Sequence, residues 1–81
     1  MTRENILKEV TEIFRESFDD ETLEINDSTT AADIEDWDSL MHITLITAIE
    51  EQFNIKFKLK EVTSLQSVGD TIDLIMEKVN E

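Results

Sequence analysis

Apolar residues return at three- and four-residue intervals in three separate stretches, and this recurrence limits the possible folds more than any other feature of the chain. Ile6, Leu7, Val10, Ile13, Phe14 and Phe18 form the first, with Glu4, Lys8, Glu9, Glu12, Arg15 and Glu16 in the gaps. That is the pattern of a helix with one face toward a core. Thr2 is placed to cap its start. Asp19-Asp20-Glu21 is unfavourable at the negative end of a helix, so the spacing predicts a helix over 3–18. A second helix is predicted from Ser39, capped by Asp38, to about Phe53, burying Leu40, Ile43, Leu45, Ile46, Ile49 and Phe53 in part or whole. Its wide apolar stripe places it centrally. Ser67-Val68-Gly69-Asp70 supplies an S-x-x-D cap for a last helix with Ile72, Ile75, Met76 and Val79 on its inner face.

The connections matter as much as the helices. Residues 19–37 hold no helical period, and a connector of that length in a small domain is expected to be functional or pinned. Leu23, Ile25, Ala31 and Ile34 are spaced to lie across the helices, and Asn26-Asp27-Ser28-Thr29-Thr30 offers side-chain-to-backbone turn chemistry. Residues 54–60 alternate apolar with polar as a strand does, but a lone strand has no partner here, so an extended connector and a helical turn around Leu59 to Val62 are expected instead. The fold class is therefore all-α: a small bundle of three main helices plus one short helix, with a long first loop, in a single domain over 1–81.

Eighty-one residues leave little room for an enclosed active site, which argues against a self-sufficient enzyme. Twenty acidic against seven basic residues, a net charge of −13, oppose attraction to nucleic acid or anionic lipid and favour partners with basic surfaces. There is no cysteine and one histidine, so neither a disulfide framework nor a zinc site is available, and any thiol chemistry must use an imported thiol. No apolar run is long enough to span a bilayer, and Met1-Thr2-Arg3-Glu4 leads into an amphipathic pattern, not a signal-peptide core. A cytoplasmic monomer is expected.

Asp38-Ser39-Leu40 is the stretch with chemical promise. A serine in the first turn of a helix is at the surface beside backbone N–H groups without intrahelical partners, a setting that suits a phosphodiester. Taken alone, the tripeptide is explained by an N-cap and a core leucine. His42 follows Ser39 by three residues and shares its side of the helix, yet no glycine elbow or oxyanion site accompanies the pair, so His42 is read as a surface or loop-contacting residue. The carboxylates of residues 33–38 lack the glycine and glutamate of a calcium-binding loop, and no metal site is expected.

Asp36-Trp37-Asp38-Ser39-Leu40-Met41-His42-Ile43-Thr44-Leu45-Ile46, followed by Ala48-Ile49-Glu50-Glu51-Gln52-Phe53-Asn54-Ile55, resembles the D-S-L segment and E-E-x-F-x-I continuation of the acyl carrier protein family. Length, acidity, the long first loop and the entry to the last helix at 65–72 extend the resemblance over nearly the whole chain. It implies that a phosphopantetheinyl transferase, using coenzyme A and magnesium, attaches a 4'-phosphopantetheine arm to Ser39, with Asp38 and Leu40 completing the motif. Ser39 is then an attachment point and the chain is not an enzyme. The arm would present acyl groups, as thioesters, to acyl-transferring or condensing enzymes with basic docking surfaces, in fatty-acid or specialised-metabolite biosynthesis. An aminoacyl or peptidyl carrier and an unmodified acidic interaction domain are the alternatives. The family also shelters its acyl chain between helices, and Ile43, Ile46, Ile49, Ile72, Ile75 and Met76 are the candidates by position; for each one individually, plain core packing is the better reading.

The chain departs from the family where partners bind. Positions 41 and 44, commonly acidic in fatty-acid-synthesis members, hold Met41 and Thr44, while Glu50 and Glu51 remain. Trp37 stands directly before Asp38 and either packs the loop or anchors a partner. The Trp-Asp-Ser-Leu form resembles carriers of specialised pathways. Docking is accordingly expected at Trp37, Met41, Thr44, Glu50 and Glu51. Lys56, Lys58 and Lys60 form a basic island where the family is commonly acidic, either a solvated connector or a device that excludes wrong partners.

Overall fold

A computed structural model describes residues 2–80; Met1 and Glu81, the ends of the expected 1–81 domain, lie outside the described residues. In chain order the elements are α1 (Arg3–Ser17), a 3₁₀ turn (Ala31–Asp33), α2 (Ser39–Phe53), α3 (Leu59–Ser64) and α4 (Val68–Val79). No strand occurs among the described residues. α1 packs on both α2 and α4. Between them lies a core of Ile6, Val10, Ile13 and Phe14 from α1, Leu45 and Ile49 from α2, and Val68, Ile72 and Ile75 from α4.

Each helix end follows from local chemistry. The Thr2 hydroxyl accepts from the Asn5 N–H at 3.1 Å, the Asp38 carboxylate from the Met41 N–H at 2.8 Å and the Ser67 hydroxyl from the Asp70 N–H at 3.2 Å. α1 ends at Ser17 with Phe18 as its C-cap, one residue short of expectation, and Asp19 turns the chain with φ of 52°. α2 ends at Asn54, whose φ of 55° is a left-handed conformation that asparagine tolerates better than most residues.

The long first loop is pinned along its length. Arg15 Nε donates to the Leu23 carbonyl at 2.7 Å, and Ile25 is buried in the core. Asn26 N–H donates to the Thr29 hydroxyl at 2.9 Å, and Asn26 Oδ1 accepts from the Ser28 N–H and hydroxyl. The loop then docks on the start of α4, where the Val68 N–H donates to the Thr29 carbonyl and the Gly69 N–H to the Asp27 carbonyl, both at 2.9 Å. Two donors that a helix start leaves unpaired are thus satisfied by loop carbonyls. Arg3 adds a clamp, pairing with Asp27 at 3.3 Å and with Asp73. The Asp73 hydrogen bond, reinforced by both carboxylates, raises the Arg3 pKa above its ordinary value.

Within the 54–60 alternation residues 55–58 are an extended connector with one covered side, while Leu59 and Lys60 already belong to α3. Ile55 and Phe57 are half-buried against the core, Lys56 and Lys58 face out, and the Phe57 N–H donates to Glu50 Oε2 at 2.8 Å. Glu61 Oε1 then accepts from the Lys58 N–H at 2.8 Å to start α3 and pairs with Lys78 of α4 at 3.0 Å. The Lys58 N–H first, and Lys78 second, hold the Glu61 carboxyl below the usual carboxylate range.

Two expectations about burial fail. Leu40 is 74% exposed and Ile43 59% exposed. The packing face of α2 is set by Leu45, Ile46 and Ile49, and at about 100° per residue Leu40 falls roughly opposite Ile49. The wide apolar stripe is therefore two faces, one in the core and one in solvent. Ala31, expected to lie across the helices, is also exposed, whereas Leu23 and Ile34 are half-buried against the core.

Candidate functional site

Ser39 is the first residue of α2 and is exposed. Its hydroxyl takes part in no side-chain hydrogen bond among the described residues, unlike Thr44, which donates back to the Leu40 carbonyl at 3.1 Å. The first bond of the helix ladder runs from the His42 N–H to the Asp38 carbonyl at 2.9 Å, and the Asp38 side chain takes the Met41 N–H. The N–H groups of Ser39 and Leu40 are therefore left pointing out of the helix start beside the hydroxyl. Capping and exposure come from one arrangement: with Asp38 turned inward as the cap, Ser39 is the next residue and has no structural work.

The segment before Ser39 is held by aromatic packing. The Trp37 ring meets Phe14 edge-on at 5.2 Å between centroids and stacks on His42 at 6.0 Å. Trp37 Nε1 donates to His42 Nδ1 at 3.3 Å, and His42 Nε2 lies 3.3 Å from the Val62 carbonyl oxygen. An indole N–H only donates, so Nδ1 must be the bare nitrogen and Nε2 carries the proton it gives to Val62. His42 thus links the loop, α2 and α3. It belongs to the loop-contacting class expected from the sequence, and with Nε2 directed at a backbone carbonyl and Nδ1 taken by Trp37 it has no nitrogen free to activate Ser39.

Ser39 opens onto a groove of about 570 Å³ walled by Trp37, His42, Ile43, Leu59, Val62 and Leu65. Exposed Ile43 and Leu59, unexplained by core packing, form its apolar rim. By contrast, Ile46, Ile49, Ile72 and Ile75 are buried side chains of the bundle. Of the sheltering candidates, only Ile43 faces the groove; its exposure is what the sequence pattern hid. Leu59 also borders it, and only its position at the head of a short amphipathic turn offered any signal.

The expected docking residues are dispersed. Thr44 and Glu51 are exposed on the outer face of α2, Met41 is half-buried against the core, Trp37 turns its ring inward, and Glu50 is engaged by the Phe57 N–H. Lys56, Lys58 and Lys60 are exposed and their ammonium groups form no ion pair among the described residues, whereas Arg3, Arg15 and Lys78 all do. No group of three metal-ligating side chains occurs among the described residues, and no described helix is long and apolar enough to cross a membrane.

A free surface hydroxyl with two unpaired N–H groups fits a phosphodiester, and the apolar groove beside it fits an attached chain. Comparison with known proteins agrees. The sequence pattern of the family described as "Phosphopantetheine attachment site" matches residues 8–75. An acyl carrier protein of Acidothermus cellulolyticus is 32% identical over 75 residues, 93% of this chain and 89% of its own length. One from Myxococcus xanthus is 31% identical, over 91% of this chain and 94% of its own. The solution structure of a holo acyl carrier protein from Geobacter metallireducens superposes with a TM-score of 0.86 at 43% identity, covering 91% of this chain and 85% of that one. With the helices, the long pinned loop and the family pattern coinciding over most of its length, this chain belongs to the phosphopantetheine attachment site family.

Proposed function

We propose that this protein is a non-catalytic acyl carrier whose arm is attached at Ser39. The observation that carries the reading is the exposed hydroxyl of Ser39, unengaged at the first turn of α2 within the segment matched by the family pattern. A phosphopantetheinyl transferase joins Ser39 Oγ to the phosphorus of coenzyme A nearest the pantetheine. A new P–O bond forms, the bond to the adenosine bisphosphate leaving group breaks, and the serine proton passes to a base of the transferase. When bound, the arm supplies a thiol that holds acyl groups as thioesters.

The chain's own residues have three tasks. Asp38 fixes the start of α2 and so the direction in which Ser39 points. Trp37 and His42 hold the loop against α1 and α3, keeping the approach to Ser39 in one shape. The solvent face of α2, with Leu40, Ile43, Thr44 and Glu51, meets the enzymes that load and unload the arm, assisted by the exposed edges of Trp37 and Met41. Glu50 contributes indirectly, through the connector it holds. With Met41 and Thr44 in place of carboxylates, this face draws more on apolar contact than on charge, which supports partners in a specialised acyl pathway.

The test is intact mass after incubation with coenzyme A, magnesium and a broad-specificity phosphopantetheinyl transferase. The wild-type chain is expected to gain one phosphopantetheine and Ser39→Ala none. No gain in the wild type, with a control carrier modified alongside, would return the chain to the class of unmodified acidic interaction domains. Mass of the protein taken from its host, compared with the phosphopantetheine form, would separate acyl from aminoacyl cargo.

A further inference from the structure

Behind the groove at Ser39 lies a second, smaller void of about 50 Å³, reaching Ser67 and Thr71 at the start of α4. The two spaces share Ala31, Trp37, His42 and Leu65. The partition between them is therefore formed by Trp37, His42, Ala31 and Leu65, of which Trp37 and His42 carry the rings. It is fastened at both ends, by the Trp37 N–H on His42 Nδ1 and by His42 Nε2 on the Val62 carbonyl, each at 3.3 Å. It joins three segments, the loop before α2, α2 itself and the short α3, so opening it requires breaking a hydrogen bond as well as shifting a ring. Thr71, which lines the void, is buried, and so are Ile72 and Ile75 on the same helix.

Resting on the assignment of Ser39 as the attachment point, we propose that the Trp37–His42–Val62 partition is a depth stop that confines an attached acyl group to the outer groove. The protein is thereby matched to short acyl chains. The apolar rim of Ile43, Leu59 and Val62 receives them, while the void behind His42 and the interior of the bundle stay closed to longer ones. His42 is a specificity-determining residue that acts by position and touches neither the serine nor the reacting thioester carbon. Its imidazole is the right group for the task because it offers one acceptor and one donor on opposite sides of a flat ring.

The experiment compares chains carrying butanoyl-, octanoyl- and dodecanoyl-phosphopantetheine. Intact mass of the wild type and Ser39→Ala comes first, so failure of attachment at Ser39 is seen as a missing mass gain, separately from any result on depth. Methyl resonances are then followed by NMR for Ile43 and Val62 in the outer groove and for Thr71 and Ile72 behind the partition. In the wild type all three acyl groups are expected to shift Ile43 and Val62 and to leave Thr71 and Ile72 unmoved. In His42→Ala the octanoyl and dodecanoyl groups shift Thr71 and Ile72, and thioester hydrolysis slows severalfold relative to the wild type. His42→Gln, which keeps a donor and an acceptor, restores the wild-type pattern. Trp37→Phe, which removes the N–H held by His42, opens the partition partly and stands in for His42→Ala if that variant does not fold. Octanoyl-dependent shifts of Thr71 and Ile72 in the wild type would overturn the proposal, as would a His42→Ala variant, or Trp37→Phe in its place, that responds to chain length as the wild type does.

Discussion

Gly69 is the only glycine in the chain, and its backbone is not in a left-handed conformation. The need for it is spatial: a Cβ there would lie 2.8 Å from the Asp27 carbonyl oxygen, the atom that accepts the Gly69 N–H. The same close approach that satisfies the helix start forbids a side chain. Gly69→Ala must push the loop off α4, and a loss of about 1–3 kcal/mol is expected in urea unfolding, as for other overpacked sites. An alanine variant as stable as the wild type would mean that the loop moves freely at this point. At His42 the expected state is equally specific. Long-range nitrogen–proton NMR should find Nδ1 bare and Nε2 protonated, and Trp37→Phe should loosen that preference; a protonated Nδ1 in the wild type would contradict the contact with the indole.

At the scale of elements, α3 hangs on few ties, and Glu61 makes two of them, to the Lys58 N–H and to Lys78. Because its folded-state pKa is lowered, the stability it contributes is present above the ordinary glutamate range, near pH 4.3, and is lost as pH falls through the lower folded value. Glu61→Gln should therefore be less stable than the wild type at neutral pH, with the gap closing as pH falls below the ordinary glutamate range. A gap independent of pH would assign the effect to something other than the charge. The elements were largely legible in sequence because their signals are local: caps at Thr2, Asp38 and Ser67, and apolar spacing in α1 and α4. α2 was legible as a helix but not in its orientation. Leu40 and Ile43 are as apolar as Leu45 and Ile49, and only the positions of α1 and α4 decide which set is covered. The partition at His42 was hidden for a related reason, since Trp37 lies outside the helix and no periodicity relates it to His42 or either to Val62.

For the whole molecule the dominant fact is charge. With a net charge of −13 and four of seven cations outside any ion pair among the described residues, unpaired carboxylates repel one another across a small surface. Moderate sodium chloride is expected to raise the melting temperature by screening this repulsion, and a flat salt titration would count against it. Lys56, Lys58 and Lys60 are the local exception. If this island selects partners, exchanging all three for glutamate should narrow the difference in rate between cognate enzymes and those of general fatty-acid synthesis; unchanged discrimination would leave the island a solvated connector. On the proposed reading the molecule presents one hydroxyl, that of Ser39, where the sequence motif, the helix cap and the groove coincide. Fragment-ion mass spectrometry of the modified protein tests that most directly. The account predicts a single phosphopantetheine on the peptide containing Ser39, localised to that side chain; attachment at any other hydroxyl, or an unmodified Ser39 in a chain that has gained the mass, would contradict it.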